Sequence, residues 1–332
     1  MKRALVTGAA GFIGSHLVEG LLARGWDVVA FDNLSTGDRA NVPPAAQFVR
    51  GDVADAAAVE QAIGRGVDAV LHVAGQASIV KSFSEPQIDL ATNVLGTINV
   101  LQGCVKHRVP RLVFASSMTV YGHPTRVPTP ESEACVPVSY YGITKYAAER
   151  YVHATAARRD LDVPLAVTSF RMFNVYGPRQ SLSNPYQGVL AIFIGRALRG
   201  EPITIHSDGG QARDLVHVTD VAEAWLAALD DPRTHGAVYN LGSGQSHSVN
   251  ELADLALAAF GRSRADYPML SAPAQPGDLR QSCADTTALR QATGWRPRVP
   301  FAEGMSATVR WAIDASRAEG PAAAAARPVP AS

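Results

Sequence analysis

The sequence predicts an α/β protein, a doubly wound and mostly parallel sheet with a smaller C-terminal α/β lobe. Three observations carry that expectation. Apolar runs of strand length alternate with segments of helical periodicity through residues 1–175, the pattern of a parallel sheet covered on both faces. A glycine-rich turn joins the first run to the first helix. After Phe173 the texture changes, with Gly177-Pro178, Asn184-Pro185 and shorter elements, as expected of a second lobe over the mouth of the sheet.

Taken in order, Ala4-Leu5-Val6 reads as a buried strand that feeds into Thr7-Gly8-Ala9-Ala10-Gly11-Phe12-Ile13-Gly14-Ser15. Glycines at 8, 11 and 14 let the backbone turn sharply, approach a pyrophosphate and pack the next helix closely. That helix, Gly14 to Ala23, puts Ile13, Leu17, Val18, Leu21 and Leu22 on one face, and Gly25 ends it. Its first N–H groups and its dipole suit phosphates. Asp27 to Asp32 is a second strand closing on an acid about 20 residues past the glycines, where a carboxylate accepts bonds from an adenosine ribose and repels a 2′-phosphate. Strand, glycines, helix, strand and acid in that order point to a Rossmann-type unit that binds NAD.

Gln47 to Arg50 is strand three, ending at Gly51-Asp52, and Asp55 caps a helix through Ile63. Val67 to Ala74 is strand four, Thr92 to His107 a helix carrying Val94, Leu95, Ile98 and Leu101, and Arg111 to Ser117 strand five. A long helix from Tyr141 to Ala157 leads to strand six, Leu165 to Phe173. The second lobe is expected to hold helices Gly188 to Leu198 and Val249 to Phe260, with strands Ile203 to His206 and Leu215 to Val218. Thr219 to Asp230 and Ala237 to Leu241 look like a helix and strand of the first lobe. The expected division is an NAD-binding domain at 1–175 with 215–242 returning to it, a substrate domain at 176–214 and 243–315, and an Ala- and Pro-rich flexible tail at 316–332.

Of 332 residues, 47% are hydrophobic and 18% charged, enough apolar content for two lobes. Thirty Lys plus Arg balance thirty Asp plus Glu, which argues against nucleic acid or an anionic membrane as the main partner. Cys104, Cys135 and Cys283 are odd in number and widely spaced, so neither a disulfide framework nor a metal site is expected. No apolar run reaches the length of a membrane span, and the run after Lys2-Arg3 is too short for a signal peptide. A reducing cytoplasm is the expected location.

Tyr141-Gly142-Ile143-Thr144-Lys145 carries the chemistry. Spacing i, i+4 puts phenol and ammonium on one helix face. A free tyrosine, with a pKa of about 10, is too weakly ionised to act as a base at neutral pH, and a nearby cation is expected to lower it. The same lysine can reach a nicotinamide ribose, and the phenolate can remove or return a hydroxyl proton. Ser116-Ser117 ends strand five on the side where ligands of such sheets bind, so a hydroxyl there can bond the reacting oxygen.

With these motifs in hand, the chain resembles the extended short-chain dehydrogenase/reductases, and within them the nucleotide-sugar epimerases similar to UDP-hexose 4-epimerases, from about Lys2 to Trp311. The resemblance implies that Gly8, Gly11, Phe12, Ile13, Gly14, Asp32, Asn33, Asp52, Val53, Ala74, Asn93, Ser116, Tyr141 and Lys145 line NAD. It makes Ser117 the catalytic hydroxyl, Tyr141 the base and Lys145 its lysine. On the substrate side it implies Asn174 and Arg213 at the diphosphate, where a guanidinium fork suits phosphate. Arg280, after Pro276-Gly277-Asp278-Leu279, would approach the same group, although the arginine some relatives carry just before Pro-Gly-Asp is absent. Ile205 and His206 would border the uracil.

Related 4,6-dehydratases place an Asp-Glu pair after the strand-five hydroxyl, and UDP-glucuronate decarboxylases a glutamate in that turn. Here Met118 and Thr119 stand there. What the resemblance then implies is reversible oxidation at C4. Tyr141 takes the 4-hydroxyl proton, C4 reduces NAD, the 4-keto sugar turns, and the steps reverse on the other face. Ser282, two residues before Ala284-Asp285, falls where a bulky tyrosine is associated with rejection of N-acetyl sugars. A small residue there implies that UDP-GlcNAc and UDP-GalNAc are accepted beside UDP-glucose and UDP-galactose. Tyr140 and Met118 depart from the family pattern, which has Pro and a small residue at these positions. His16 is expected to be structural. A homodimer is implied, through the helices from Thr92 and Tyr141, with Tyr146, Ala147, Arg150 and Tyr151 near the contact. Other readings are a uronate, GDP- or dTDP-sugar epimerase, or a non-catalytic NAD-binding sensor.

Overall fold

The computed structural model describes residues 1–182, 188–274 and 279–324, with side chains as far as Arg317. Seven strands form one all-parallel sheet: β1 (Arg3–Thr7), β2 (Asp27–Asp32), β3 (Gln47–Arg50), β4 (Ala69–His72), β5 (Arg111–Ser117), β6 (Ala166–Met172) and β10 (Ala237–Leu241). Their order is β10-β6-β5-β4-β1-β2-β3. The chain therefore reverses direction across the sheet between β1 and β4, and the crevice at their carboxyl ends is where such sheets bind ligands.

Strand periodicity of two sorts the core. Ala4 and Val6 of β1 and Val113 and Ala115 of β5 face one layer, while Leu5, Leu112 and Phe114 face the other. The first layer holds α1 (Phe12–Ala23), α8 (Val218–Asp230) and α10 (Thr287–Thr293), with Leu17, Leu21, Trp225 and Leu289 buried. The second holds α2 (Ala56–Ile63), α5 (Gly96–Lys106) and α6 (Tyr140–Ala156), with Ile63, Val100, Ala148 and Val152 buried.

The elements depart from expectation at two places that matter. β4 stops at His72 because the N–H groups of Val73 and Ala74 both donate to Thr7 Oγ1, at 3.1 Å each, instead of to the ladder. The helix expected from Thr92 begins earlier. After α3 (Ile79–Ser84), α4 (Pro86–Leu90) starts on a proline at its first turn, passes through a π-helical turn at Ala91–Leu95 and continues as α5. Such π-turns often lie at functional sites, and this one carries Asn93.

The second lobe has a three-stranded sheet in which β9 (Ala212–His217) lies between β7 (Asn174–Tyr176) and the antiparallel β11 (Ser246–Ser248). It also has a parallel pair, β8 (Ile203–His206) and β12 (Met269–Ala272). The strand expected at Leu215–Val218 thus begins at Ala212 and belongs to this lobe. The chain re-enters the large sheet's layers only with α8. Helices α7 (Val189–Arg199), α9 (Val249–Ala259) and α11 (Phe301–Ala324) enclose a separate core around Ile194, Leu252 and Met305. α11 runs on through residues 316–324, the first part of the segment expected as a tail. Among the described residues, no helix is long and apolar enough to cross a membrane.

Candidate active site

The glycine turn sits at the crevice between β1 and β4. Gly8 has φ +67°, a left-handed value, and a side chain on it would meet the backbone N of Ala74 at 2.9 Å. Gly14 is tighter still: a Cβ there would lie 2.0 Å from the Gly8 carbonyl oxygen. The first turn of α1 therefore rests directly on the turn. No side chain caps its N-terminus and no acid lies in its first turn, which leaves N–H groups and dipole open to an anion. Asp32 is buried at the end of β2. Its Oδ2 accepts from Ala10 N at 2.9 Å and its Oδ1 from Leu34 N at 2.7 Å, so it braces the glycine turn. Asn33 donates to Asp52 at 2.8 Å, and Asp52 also accepts from Ala54 N. Asn99 holds the Val53 carbonyl at 2.9 Å.

Ser117, Tyr141 and Lys145 converge where β5 meets the first turns of α6. The Ser117 hydroxyl accepts from Thr119 Oγ1 at 2.9 Å and from Thr119 N at 3.3 Å, and it lies close enough to the Tyr141 phenol to favour its ionised form. With both accepting contacts taken by Thr119, its own hydrogen is free to be donated. Lys145 is buried, its Nζ 4.8 Å from the centre of the Phe114 ring.

Here the electrostatics correct the sequence expectation. The Tyr141 phenol is pushed up, first by desolvation in its recess and further by the carboxylate of Asp89, while the Ser117 bond pulls it down. Lys145 is not among the groups that depress it; its ammonium lies over Phe114, in the field of Asp89 and Glu149. Burial brings Lys145 down to about 8, against the pull of those two carboxylates. Behind it, burial and the lysine charge hold His72 at about 3, a neutral imidazole clamped between Thr7 Oγ1 at 2.7 Å and Thr97 Oγ1 at 3.1 Å.

Two buried networks brace this cluster. Asp89 on α4 accepts from Thr144 Oγ1 at 2.6 Å, Gln76 Nε2 at 2.9 Å and Asn93 Nδ2 at 3.1 Å. Asn93 accepts in turn from Gln76 N at 2.9 Å. On the far side, Glu149 of α6 and Arg171 of β6 form a buried two-bond ion pair at 2.7 and 3.0 Å. Ser116 donates to that Glu149 at 2.6 Å. The Ser116 hydroxyl, expected at the cofactor, is therefore turned away from Ser117 toward this pair, as neighbouring residues of a strand must be.

Across the crevice, Asn174 donates to the Asp214 carbonyl at 3.2 Å, and Arg213 Nη1 donates to the Ala212 and Leu279 carbonyls at 2.9 and 2.7 Å. Arg280 is exposed and bound two-fold to Asp208 at 2.7 and 3.0 Å, rather than extended into the crevice. The Pro276-Gly277-Asp278 segment before it lies outside the described residues. Ile205 is part of the second lobe's core, and the His206 ring bonds the Pro273 carbonyl at 3.0 Å. Ser282 is buried, its hydroxyl 3.3 Å from the Met118 sulfur. Both line a tight cleft with Tyr121, Pro124, Thr129, Phe173 and Leu279 that leaves no room for a water molecule. His16 bonds the Pro178 carbonyl at 3.1 Å and so ties α1 to the second lobe.

A profile of the NAD dependent epimerase/dehydratase family matches residues 4–242. The chain belongs to this family. Among solved structures, it is 37% identical to the UDP-glucose 4-epimerase of Thermotoga maritima, crystallised with UDP-glucose, over 94% of this chain and 99% of that one (TM-score 0.88). The Thermus thermophilus UDP-glucose 4-epimerase, complexed with NAD, is 40% identical over 93% and 98% of the two chains (TM-score 0.84). A UDP-N-acetylglucosamine 4-epimerase from Methanobrevibacter ruminantium, in complex with UDP-N-acetylmuramic acid, is 30% identical over 95% and 99% (TM-score 0.87).

The residues fit the cofactor of this epimerase/dehydratase family. The Gly8–Gly14 cradle would be filled by any Cβ, the helix end above it is uncapped, and an acid stands at the close of β2. Sequence reasoning missed Thr7, Gln76, Asp89, Thr119 and Glu149. Thr119 lies two residues past Ser117 and Asp89 one helical turn before Asn93, and those spacings were the only local signs of them.

Proposed function

We propose that this chain interconverts UDP-hexoses at C4, UDP-glucose with UDP-galactose and also UDP-GlcNAc with UDP-GalNAc. The observation that carries the reading is the convergence of Ser117, Tyr141 and Lys145 at the end of β5, in a turn whose next two residues, Met118 and Thr119, supply no acid. In this reading the first lobe holds NAD through Gly8, Gly11, the start of α1 and Asp32, and the second lobe holds the sugar nucleotide.

Bound NAD supplies a reversible hydride acceptor for the sugar carbon. Tyr141 takes the proton of the 4-hydroxyl and later returns it. Ser117, whose hydrogen is free, donates either to the sugar oxygen or to the phenolate, and the second bond is what favours the ionised base. Lys145 brings a positive charge to the nicotinamide end of the site. With no acid beside Ser117 the ketone formed at C4 has no route to elimination, so reduction from the opposite face completes the cycle.

The small Ser282 supports acceptance of an acetamido group, which enters the closed cleft only as the flexible Met118 thioether against the serine yields. Arg213 and Asn174 are the diphosphate contacts, and Arg280 joins them by leaving Asp208. We also propose a homodimer: Ile88, Leu95, Ile143 and Tyr151 on α4 to α6 are large apolar groups about half exposed, a face that a second copy would cover. All three cysteines are free, which supports a reducing cytoplasm.

The deciding experiment is a proton NMR time course of purified protein with UDP-glucose and with UDP-GlcNAc, read from the ring couplings at C4. Conversion of both, lost in Tyr141→Phe with NAD still bound, is the expected result. Conversion of UDP-glucose alone removes the Ser282 argument. No conversion of either, even with NAD added, overturns the substrate assignment.

A further inference from the structure

We propose that Asp89 is a positioning residue for the Tyr141–Lys145 pair, a buried carboxylate on α4 whose fixed negative charge and tether to α6 set how that pair works. The inference rests on the reading of Tyr141 as the base. Asp89 is fully buried, yet no cation lies within 4 Å of it among the described residues. All three side chains that donate to it, Thr144, Gln76 and Asn93, are neutral. A carboxylate buried without an ion-pair partner costs several kcal/mol in general. A fold that wanted only the three hydrogen bonds could use an amide here.

The charge has a counterpart one step away. Lys145 is also buried and makes no hydrogen bond from its ammonium among the described residues; Asp89 and Glu149 are the carboxylates that favour its charged form. Asp89 therefore shares with Glu149 the countercharge to a buried cation that makes no hydrogen bond among the described residues. It also acts on Tyr141, where its charge opposes ionisation. The other titratable groups facing the pair are His72 from β4, which is neutral, and Glu149 from α6, which Arg171 and Ser116 already engage. Among the described residues, only Asp89 bears on both members of the pair and is itself free of an ion pair.

The tether is mechanical as well as electrostatic. Thr144 sits between Tyr141 and Lys145 in sequence, and its hydroxyl lies 2.6 Å from Asp89 and 3.1 Å from the Tyr141 carbonyl. Asn93 bridges Asp89 to the backbone at Gln76, in the segment after β4. The catalytic turn of α6 is thereby pinned to the π-turn and to the segment after β4 through one carboxylate.

Asp89→Asn separates charge from shape. The amide oxygen can still accept from Gln76 and Asn93. The amide nitrogen can donate to Thr144, whose hydroxyl turns to the Tyr141 carbonyl it already approaches. The readout is phenolate absorbance against pH, taken as the difference between each protein and its Tyr141→Phe partner, so that the other tyrosines cancel. The expected result is a Tyr141 midpoint about half a pH unit or more lower in the Asp89→Asn background, with the acid limb of turnover moving the same way. Coincident midpoints would overturn the proposal.

Thr144→Val keeps the charge and cuts the tether. It should leave the midpoint in place and lower kcat at least tenfold with KM within about twofold. A kcat within twofold of the parent would remove the tether from the argument, even if Asp89→Asn failed to fold. The titration needs no sugar, so absence of turnover on UDP-hexoses would refute the substrate reading without touching this one.

Discussion

Replacing Gly14 by alanine tests the structural basis of the cofactor cradle. The added Cβ would lie 2.0 Å from the Gly8 carbonyl oxygen, 2.7 Å from its carbon and 3.0 Å from Ala9 Cα. An ordinary carbon–oxygen contact is about 3.4 Å, so the helix start and the turn must separate by roughly 1.4 Å. Both sides are backbone and cannot rotate aside. Overpacking of this kind costs about 1–3 kcal/mol, which for a chain of 332 residues lowers Tm by about 1–4 °C. The functional loss is larger in proportion. A shift of that size breaks at least one backbone N–H bond to a bound phosphate, a charge-assisted contact of about 1.5–3 kcal/mol, so NAD should bind about 10- to 150-fold more weakly. Gly66→Ala is the control: it has φ +78° but nothing within 4 Å of the new methyl. It should carry only backbone strain of about 1–2 kcal/mol and leave NAD affinity unchanged. Calorimetry and NAD titration on the two variants read this directly. If Gly14→Ala binds NAD like the parent, the close packing of α1 on the turn is not what shapes the site.

Three further outcomes follow from the buried groups. Glu149→Gln strands the Arg171 guanidinium in the core and should destabilise by about 3–5 kcal/mol in urea unfolding, whereas the apolar double replacement Glu149→Leu with Arg171→Met recovers most of it; equal losses in both would refute the pairing argument. His72, ordinarily near 6.5, is held at about 3 by burial and by Lys145, so the unfolded chain binds a proton that the folded one refuses. Its contribution to stability is whole above pH 6.5 and is lost as pH falls toward 3, with a slope of at most about 1.4 kcal/mol per pH unit. His72→Gln, which can still bond Thr7 and Thr97, should flatten that limb of a stability–pH curve. Ser282→Tyr puts a phenol against the Met118 sulfur that now lies 3.3 Å from the serine and should cut turnover of UDP-GlcNAc at least tenfold more than that of UDP-glucose; equal losses would show that the cleft is not where the two sugars differ.

Much of the frame was legible in one dimension. Alternating strand and helix periodicities, three glycines at fixed spacing and an acid at the end of the second strand are local signals, because each reflects how a few consecutive residues meet the backbone's own geometry. They placed β1, α1, β2 and β5, while the four-residue spacing of Tyr141 and Lys145, the hydroxyl closing strand five and the family resemblance brought Ser117, Tyr141 and Lys145 forward as a group. What the chain's order could not show is which polar groups end up without water. Asp89 meets Thr144 across 55 positions and Arg171 meets Tyr121 across 50. Only that folding turns Ser116 to Glu149 while Ser117 faces the site. The direction of the Tyr141 shift follows from the same cause. At the level of sequence the lysine four residues on should depress the phenol. In the folded protein desolvation and the carboxylate of Asp89 act more strongly, because burial and field depend on neighbours brought together by the tertiary structure and not on spacing along the chain.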